Sequence, residues 1–255
     1  MGQFLGASCK AMRTVDALVD LTEEGIKDPV IRKLPIVCVT SLFAFLFGGS
    51  FGLEISEGAL EEYWEHARTC FPWGASHPGQ GYIPCALYGD SARYTSGQGL
   101  VEKLLCILIS FPLFAPASTR SSRFLVFSIR ESLMVSVQQT IWPVLKRICD
   151  QLNYLFSRGL QVKDRLLKFT CTVLRGDWEW HCNLLNLKPR WGSNWICFKC
   201  PASRVDPRMV FTDFDDAAGW RGHEFSHVEF LNKCLKPGPI CNLMQLQSVP
   251  VFSVT

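Results

Sequence analysis

Charge is scarce in this chain: Lys, Arg, Asp and Glu make up 19% of 255 residues, against 48% hydrophobic. That balance excludes wholesale disorder and leaves enough apolar material for one full core, or one core with a small appendage. A net charge of +3 permits a polyanionic partner without demanding one. Internal repeats and low-complexity tracts are absent, which sets repeat architectures aside. The stretch Met1 to Asp28 lacks the apolar centre of a cleavable signal peptide. Met1-Gly2 opens like a myristoylation signal, but Gly6 stands where Ser or Thr is wanted. No Asp, Glu or His follows Glu229, so nothing downstream of that residue supplies a carboxylate or imidazole ligand.

One absence is local. Leu34 to Leu53 holds no charged residue and follows Arg32 and Lys33. It is long enough to span a bilayer, with cations on one flank. Pro35, Thr40, Ser41, Gly48, Gly49, Ser50 and Gly52 lower its apolar content and favour a break. A buried hairpin or a divergent N-terminal extension is therefore expected over a membrane anchor, which stays as an alternative.

Cysteine is abundant, with 12 residues. Density of this kind in a short chain usually means a disulfide framework. Here Cys38, Cys85, Cys106, Cys149 and Cys171 sit inside apolar runs and read as small core hydrophobes of a reduced protein.

Residues 1–59 read as a divergent N-terminal extension, with an amphipathic, helical start at Met12, Val15, Leu18, Leu21 and Ile26. From Leu60 to Cys70 the spacing of Leu60, Tyr63, Trp64 and Ala67 predicts a helix. Ile83 to Tyr88 is a short apolar run with strand character, ending at Gly89-Asp90, and Gly97 to Gly99 marks a turn. Leu104 to Phe111 and Phe124 to Ile129 are two further strand-like runs. Leu133, Val137, Ile141, Leu145, Ile148, Leu152 and Leu155 then share one helical stripe. Within it Pro143 marks a kink or the true first turn, and Gly159 is a natural stop. Leu167, Phe169, Cys171 and Val173 alternate with polar residues up to Gly176-Asp177, the pattern of a half-buried strand. The order is strand, strand, strand, helix, strand, a mixed α/β (α+β) layout.

An aspartate closes the first strand and another the fourth. If those strands lie side by side and parallel, Asp90 and Asp177 converge, and two close carboxylates repel unless a cation lies between them. Mg²⁺ takes oxygen ligands and keeps positions open for phosphate, and paired ions clamp both oxygens of a phosphoryl transfer. Both aspartates also suit ordinary turns after glycine.

Cys197-Phe198-Lys199-Cys200 supplies half a zinc site. His181, Cys182, His223, His227, Cys234 and Cys241 are within reach in sequence. The candidate set is Cys197, Cys200, His181 and His227, with plain thiols as the alternative. His223-Glu224-Phe225-Ser226-His227 matches HExxH, which on a helix would bind zinc with Glu224 as general base. A third ligand is missing downstream, so a zinc metallopeptidase stands only as a rival reading. Arg175, Lys188, Arg190 and Lys199 are candidate phosphate contacts, and Trp178, Trp180, Trp191 and Trp195 could stack on bases. A solvated basic face beside core tryptophans accounts for the same residues.

Several segments together resemble a family. They are Ala86-Leu87-Tyr88-Gly89-Asp90, Phe127-Ser128-Ile129-Arg130-Glu131, Leu174-Arg175-Gly176-Asp177-Trp178, the Cys197–Cys200 pair, Phe211-Thr212-Asp213-Phe214 and Ser226-His227. They are similar to a group of transposon-derived proteins abundant in repeat-rich protist genomes and, more distantly, to DDE-type transposases of the CACTA and Plavaka type. The resemblance covers roughly Leu60 to Leu246. It implies an RNase H-like βββαβ core over residues 60–180, a cysteine-rich, zinc-knuckle-like insert over 181–246, and a short tail over 247–255. It further implies Asp90 and Asp177 as Mg²⁺ ligands, DNA as partner, nuclear residence, and DNA strand cleavage and transfer in an intact member. The third carboxylate of that family lies on a later helix. Asp213, Asp215, Asp216, Glu224 and Glu229 come too early to replace it, so the expectation is a decayed or truncated copy, inactive alone.

Overall fold

The computed structural model describes residues 13–23, 26–48, 51–71, 74–96, 100–116, 122–188, 192–238, 240–241 and 243, with the backbone alone at 94–96, 100, 101 and His227. The chain divides into two compact units, residues 1–176 with 242–255, and residues 177–241. It is a mixed α/β protein built on a mixed sheet.

The first unit opens with strands β1 (Thr14–Leu21) and β2 (Val30–Val37), paired antiparallel. A helical, amphipathic start was the expectation, and the structure corrects it. Ala17, Val19 and Leu21 are buried at every second position, the period of a strand, and β-branched residues on both arms suit pairing. The uncharged run is also divided. Its first residues finish β2, and helix α1 (Val39–Gly48) takes the next part. Among the described residues no helix is long and apolar enough to cross a membrane. Helix α1 instead buries Val39, Leu42, Phe43 and Leu46.

Helix α2 (Glu57–Cys70) forms where the spacing predicts one, capped by the Ser56 side chain, which accepts from Ala59 N. It buries Trp64 and Ala67. The main sheet follows, with β3 (Ile83–Ser96), β4 (Leu100–Ser110), β5 (Arg123–Arg130) and, later, β8 (Phe169–Arg175). Its order is β5-β4-β3-β8. The first three strands form an antiparallel meander, and β8 lies parallel to β3. Between β5 and β8 runs helix α3 (Trp142–Ser157), preceded by a 3-10 turn (Glu131–Leu133) and a π turn (Val137–Ile141). Pro143 belongs to the first turn of α3, where its missing N–H leaves nothing unsatisfied. A short hairpin, β6 (Leu160–Val162) and β7 (Arg165–Leu167), intervenes before β8. Gly159 enters it at φ +74°. A Cβ there would stand 2.7 Å from the Leu167 carbonyl oxygen.

The core lies on one face of this sheet. Leu87, Leu105, Ile107, Ile109, Phe127 and Ile129 are buried there, and α3 packs against α1, β1 and β8. Phe43 anchors it, with ring centroids 5.0 Å from Phe111 and 4.8 Å from Phe169. Strand alternation turns Thr170 and Thr172 to the other face. Helix α2 meets Thr172, where Tyr63 donates its hydroxyl proton to Oγ1 at 2.9 Å, and the loop at Gly79 lies against Thr170. For that reason β8 is buried on both faces, where its alternating pattern predicts one.

The second unit has little regular structure. Helix α4 (Trp178–Leu184) and helix α5 (His227–Lys233) are seven residues each. Between them the chain folds on isolated bridges, Trp195 with Ser203 and Ser203 with Val210. A small core of Ile196, Cys200 and Ala202 is packed by Cys197, Phe211 and Trp220.

Candidate functional site

Asp90 does not end its strand. β3 continues to Ser96 because β4 keeps pairing with it, from Asp90 opposite Cys106 to Ser96 opposite Leu100. What ends near Asp90 is the parallel partner: the last β3–β8 pair is Tyr88 with Arg175. Asp90 lies two residues beyond that pair on one strand, and Asp177 two residues beyond it along the other chain segment.

Asp90 is half-buried on the sheet face opposite the main core. Tyr88, two residues earlier on the same face, donates its hydroxyl proton to Asp90 Oδ2 at 2.7 Å. The backbone N–H of Ser91 donates to Oδ1 at 2.8 Å. Both carboxylate oxygens are thus engaged locally. Donation to Asp90 holds the Tyr88 phenol above its ordinary value, helped by burial and opposed by Arg123. The Arg123 guanidinium lies 4.5 Å from the Tyr88 ring centre. Cys106 is raised by burial first and by Asp90 second.

The neighbouring acid is Glu131. It is hydrogen-bonded by the Ser91 hydroxyl and lines an open cavity of about 410 Å³ with Arg93, Glu102, Lys103 and Ser132. Alternation along β3 turns Ser91 away from the face that carries Asp90, so Glu131 does not complete a ligand set with Asp90. Sequence reading gave Tyr88, Ser91 and Glu131 no role. Only the two-residue spacing of Tyr88 and Asp90 on one strand could have signalled the first of these contacts.

Asp177 begins the second unit and is exposed. Its Oδ1 accepts from Trp180 N at 2.6 Å, which makes it the N-cap of α4. Arg175 and Lys188 are exposed and Lys199 half-buried, while Arg190 lies outside the described residues. Of the tryptophans, Trp180 is buried. Trp178 packs on Phe198 at 4.9 Å, and Trp195 donates its indole N–H to the Cys200 carbonyl at 3.1 Å. Trp191 lies outside the described residues. The three described rings serve the core of their unit.

The cysteine loop is compact. Lys199 N–H points at Cys197 Sγ, 3.4 Å away. The Cys200 thiol, with the backbone N–H groups of Lys199 and Cys200, pulls the Cys197 thiol down to about 6. Cys200 is pushed up, first because its proton is held by Cys197 and then by burial. Cys234, at the C-cap of α5, donates its thiol proton to the Phe198 carbonyl at 3.2 Å. Burial, then the charge of Cys197, raises it to about 12. Phe225 N–H donates to the Lys199 carbonyl at 2.7 Å, tying the segment before α5 to the same loop. His181 is buried, its ring packed against Trp180 at 5.2 Å and Phe198 at 6.2 Å. The His227 side chain lies outside the described residues. Among the described residues no three His, Cys, Asp or Glu side chains stand close enough to hold a metal ion.

The HExxH stretch lacks helical geometry. Ser226 caps α5 through a capping box with Glu229, so the helix begins at His227. His223 and Glu224 lie before it in exposed, non-helical chain. The shared helical face that this motif needs is therefore absent. Compared with family models, curated proteins and solved structures, the chain matches none.

Proposed function

We propose that this chain is a transposase-derived domain with an RNase H-like core, related to DDE-type transposases, that does not cleave DNA by itself and retains affinity for nucleic acid. The parallel pairing of β3 with β8 in a sheet ordered β5-β4-β3-β8 carries the reading. Three antiparallel strands, a helix, and a fourth strand beside the first is the arrangement that the family resemblance implies.

Asp90 and Asp177 occupy the positions of the first two family carboxylates. The surrounding residues do not fit a working Mg²⁺ site. Tyr88 and Ser91 donate to Asp90, Trp180 N–H draws on Asp177, and no described acid completes a group of three. Catalysis by paired ions needs them clamped on both reacting oxygens, so no reaction step is assigned to this chain. Its remaining chemistry is cationic, with Arg175 and Lys188 exposed. Lysine and arginine contacts to phosphate release counterions and weaken steeply with salt.

Fluorescence anisotropy with a labelled DNA duplex tests the binding. Binding at low salt that fades as salt rises, and that is lost when Arg175, Lys188, Arg190 and Lys199 are replaced together by alanine, is the expected result. A flat titration at low salt would remove the nucleic-acid reading. A plasmid-nicking assay with Mg²⁺ tests the inactivity: nicking by the wild type that Asp90→Asn abolishes would contradict it.

A further inference from the structure

The first unit holds two thiols against each other in its interior. Cys85 on β3 and Cys171 on β8 are partners in the parallel register, so their side chains leave the same face of the sheet. Each is 1% exposed, and both stand as thiols. The Cys85 thiol donates to the Cys171 sulfur, which holds Cys85 above the ordinary thiol value and Cys171 below it.

As core filler, any small hydrophobe would serve at either position. Two facing sulfurs add a reaction. Neighbouring strands lie about 4.8 Å apart, inside the roughly 4.4 to 6.8 Å between Cα atoms that a disulfide spans. We propose that Cys85 and Cys171 form a reversible dithiol–disulfide site, oxidised by a peroxide, that latches β8 to β3. The site goes beyond the nucleic-acid reading and rests neither on it nor on the carboxylates.

The chemistry balances. One thiol, as thiolate, attacks a peroxide oxygen; the O–O bond breaks, giving a sulfenic acid and, with the thiol proton, one water. The second thiolate attacks that sulfur; the S–S bond forms, the S–O bond breaks, and hydroxide leaves with the second proton as another water. The two sulfurs give up two electrons and the peroxide takes them. An external thiol reverses the step through a mixed disulfide.

The fold supplies the access that burial denies. β8 ends the sheet order and has β3 as its strand partner there, so a single ladder opens when β8 lifts. That ladder is interrupted beside the pair. Ala86 faces Val173, which leaves Thr172 as an extra residue, and a bulge disrupts the ladder locally. Opening admits a small oxidant, and redocking in the same register returns the sulfurs to each other. The bond then closes a loop that contains β4, β5 and α3, and in the chain-entropy account long loops gain most from closure.

The test uses the full chain, purified reduced, treated with hydrogen peroxide, alkylated, and digested without reduction. A cross-linked peptide pair joining Cys85 to Cys171 is expected in the wild type, and equally in Cys197→Ser, where the neighbouring Cys-x-x-Cys pair is broken. Dithiothreitol should return both residues to alkylable thiols. Amide exchange across Phe169–Arg175 should slow at least about tenfold in the oxidised wild type, and should not slow in Cys171→Ser. Should that variant misfold, the oxidised wild type before and after dithiothreitol supplies the same comparison. The proposal is overturned if both cysteines are recovered as thiols after peroxide, if either is recovered bonded to another cysteine or as a sulfinic acid, or if the link forms and β8 exchanges as fast as before.

Discussion

Replacing Asp177 separates two readings of that residue. Its Oδ1 accepts from Trp180 N at 2.6 Å and caps a helix of seven residues. Loss of such a cap costs about 1 kcal/mol, within a range of roughly 0.5 to 2. Asparagine caps about as well, and its missing charge forfeits a further ~0.3 to 1 kcal/mol of interaction with the helix N-terminus. Asp177→Ala should therefore lose both contributions, and Asp177→Asn the smaller one. The assay is native-state amide exchange at His181 and Cys182, inside α4, because the division into two units makes a single global transition an unsafe reference. Since about 1.4 kcal/mol is tenfold, and with the cap at about 1 kcal/mol, Asp177→Ala should speed exchange there about nine- to thirtyfold, and Asp177→Asn about two- to fivefold. Adding Mg²⁺ should change neither ratio. Equal effects of the two substitutions would refute the cap. Protection gained by the wild type alone on adding Mg²⁺ would show that the carboxylate still works as a ligand.

Two further outcomes follow from the first unit. Phe43 is fully buried among Phe111 and Phe169, so Phe43→Ala should cost about 3 to 5 kcal/mol; a shift under about 1 kcal/mol in urea unfolding would show that this aromatic cluster is not the core. Tyr63 is held above its ordinary value of 10.0, by burial first, with its hydrogen bond to Thr172 opposing. Because the folded value is the higher one, the folded chain keeps the proton longer. Its stabilisation is complete below pH about 10 and declines as pH rises toward the folded value. Tyr63→Phe should cost about 1 to 3 kcal/mol at neutral pH by leaving Thr172 without its donor. It should also flatten the alkaline limb of a stability profile, and an unchanged limb would sink the assignment.

The strands of the main sheet were legible because their apolar runs are separated by glycine, proline and polar connections. The stripe from Ile141 to Leu155 was legible because α3 buries one continuous face. The first hairpin was misread for a physical reason. Val15, Leu18 and Leu21 fall at a three-residue spacing that fits a helix, while Ala17, Val19 and Leu21 fall at the two-residue spacing that the structure uses. Only packing distinguishes them, and Leu18 is 60% exposed. The end of β3 was missed because Gly89-Asp90 has turn chemistry, yet β4 supplies a partner for every residue up to Ser96. The contact of Cys234 with the Phe198 carbonyl could not be read from spacing, since the chain between Cys200 and Ser226 has no periodicity to place it. Its position depends on backbone hydrogen bonds at Phe225 and Lys188.

The parallel partner in the sheet has a consequence for how the chain folds. The meander is local: three residues separate β3 from β4 and twelve separate β4 from β5. Pairing Ile83 with Phe169 closes a far longer loop, which includes the whole of α3, and its entropy must be met before any contact rewards it. The meander and the helix should therefore assemble early, with β8 docking late. Until then β3 presents one unpaired flank, the kind of exposed edge on which chains aggregate.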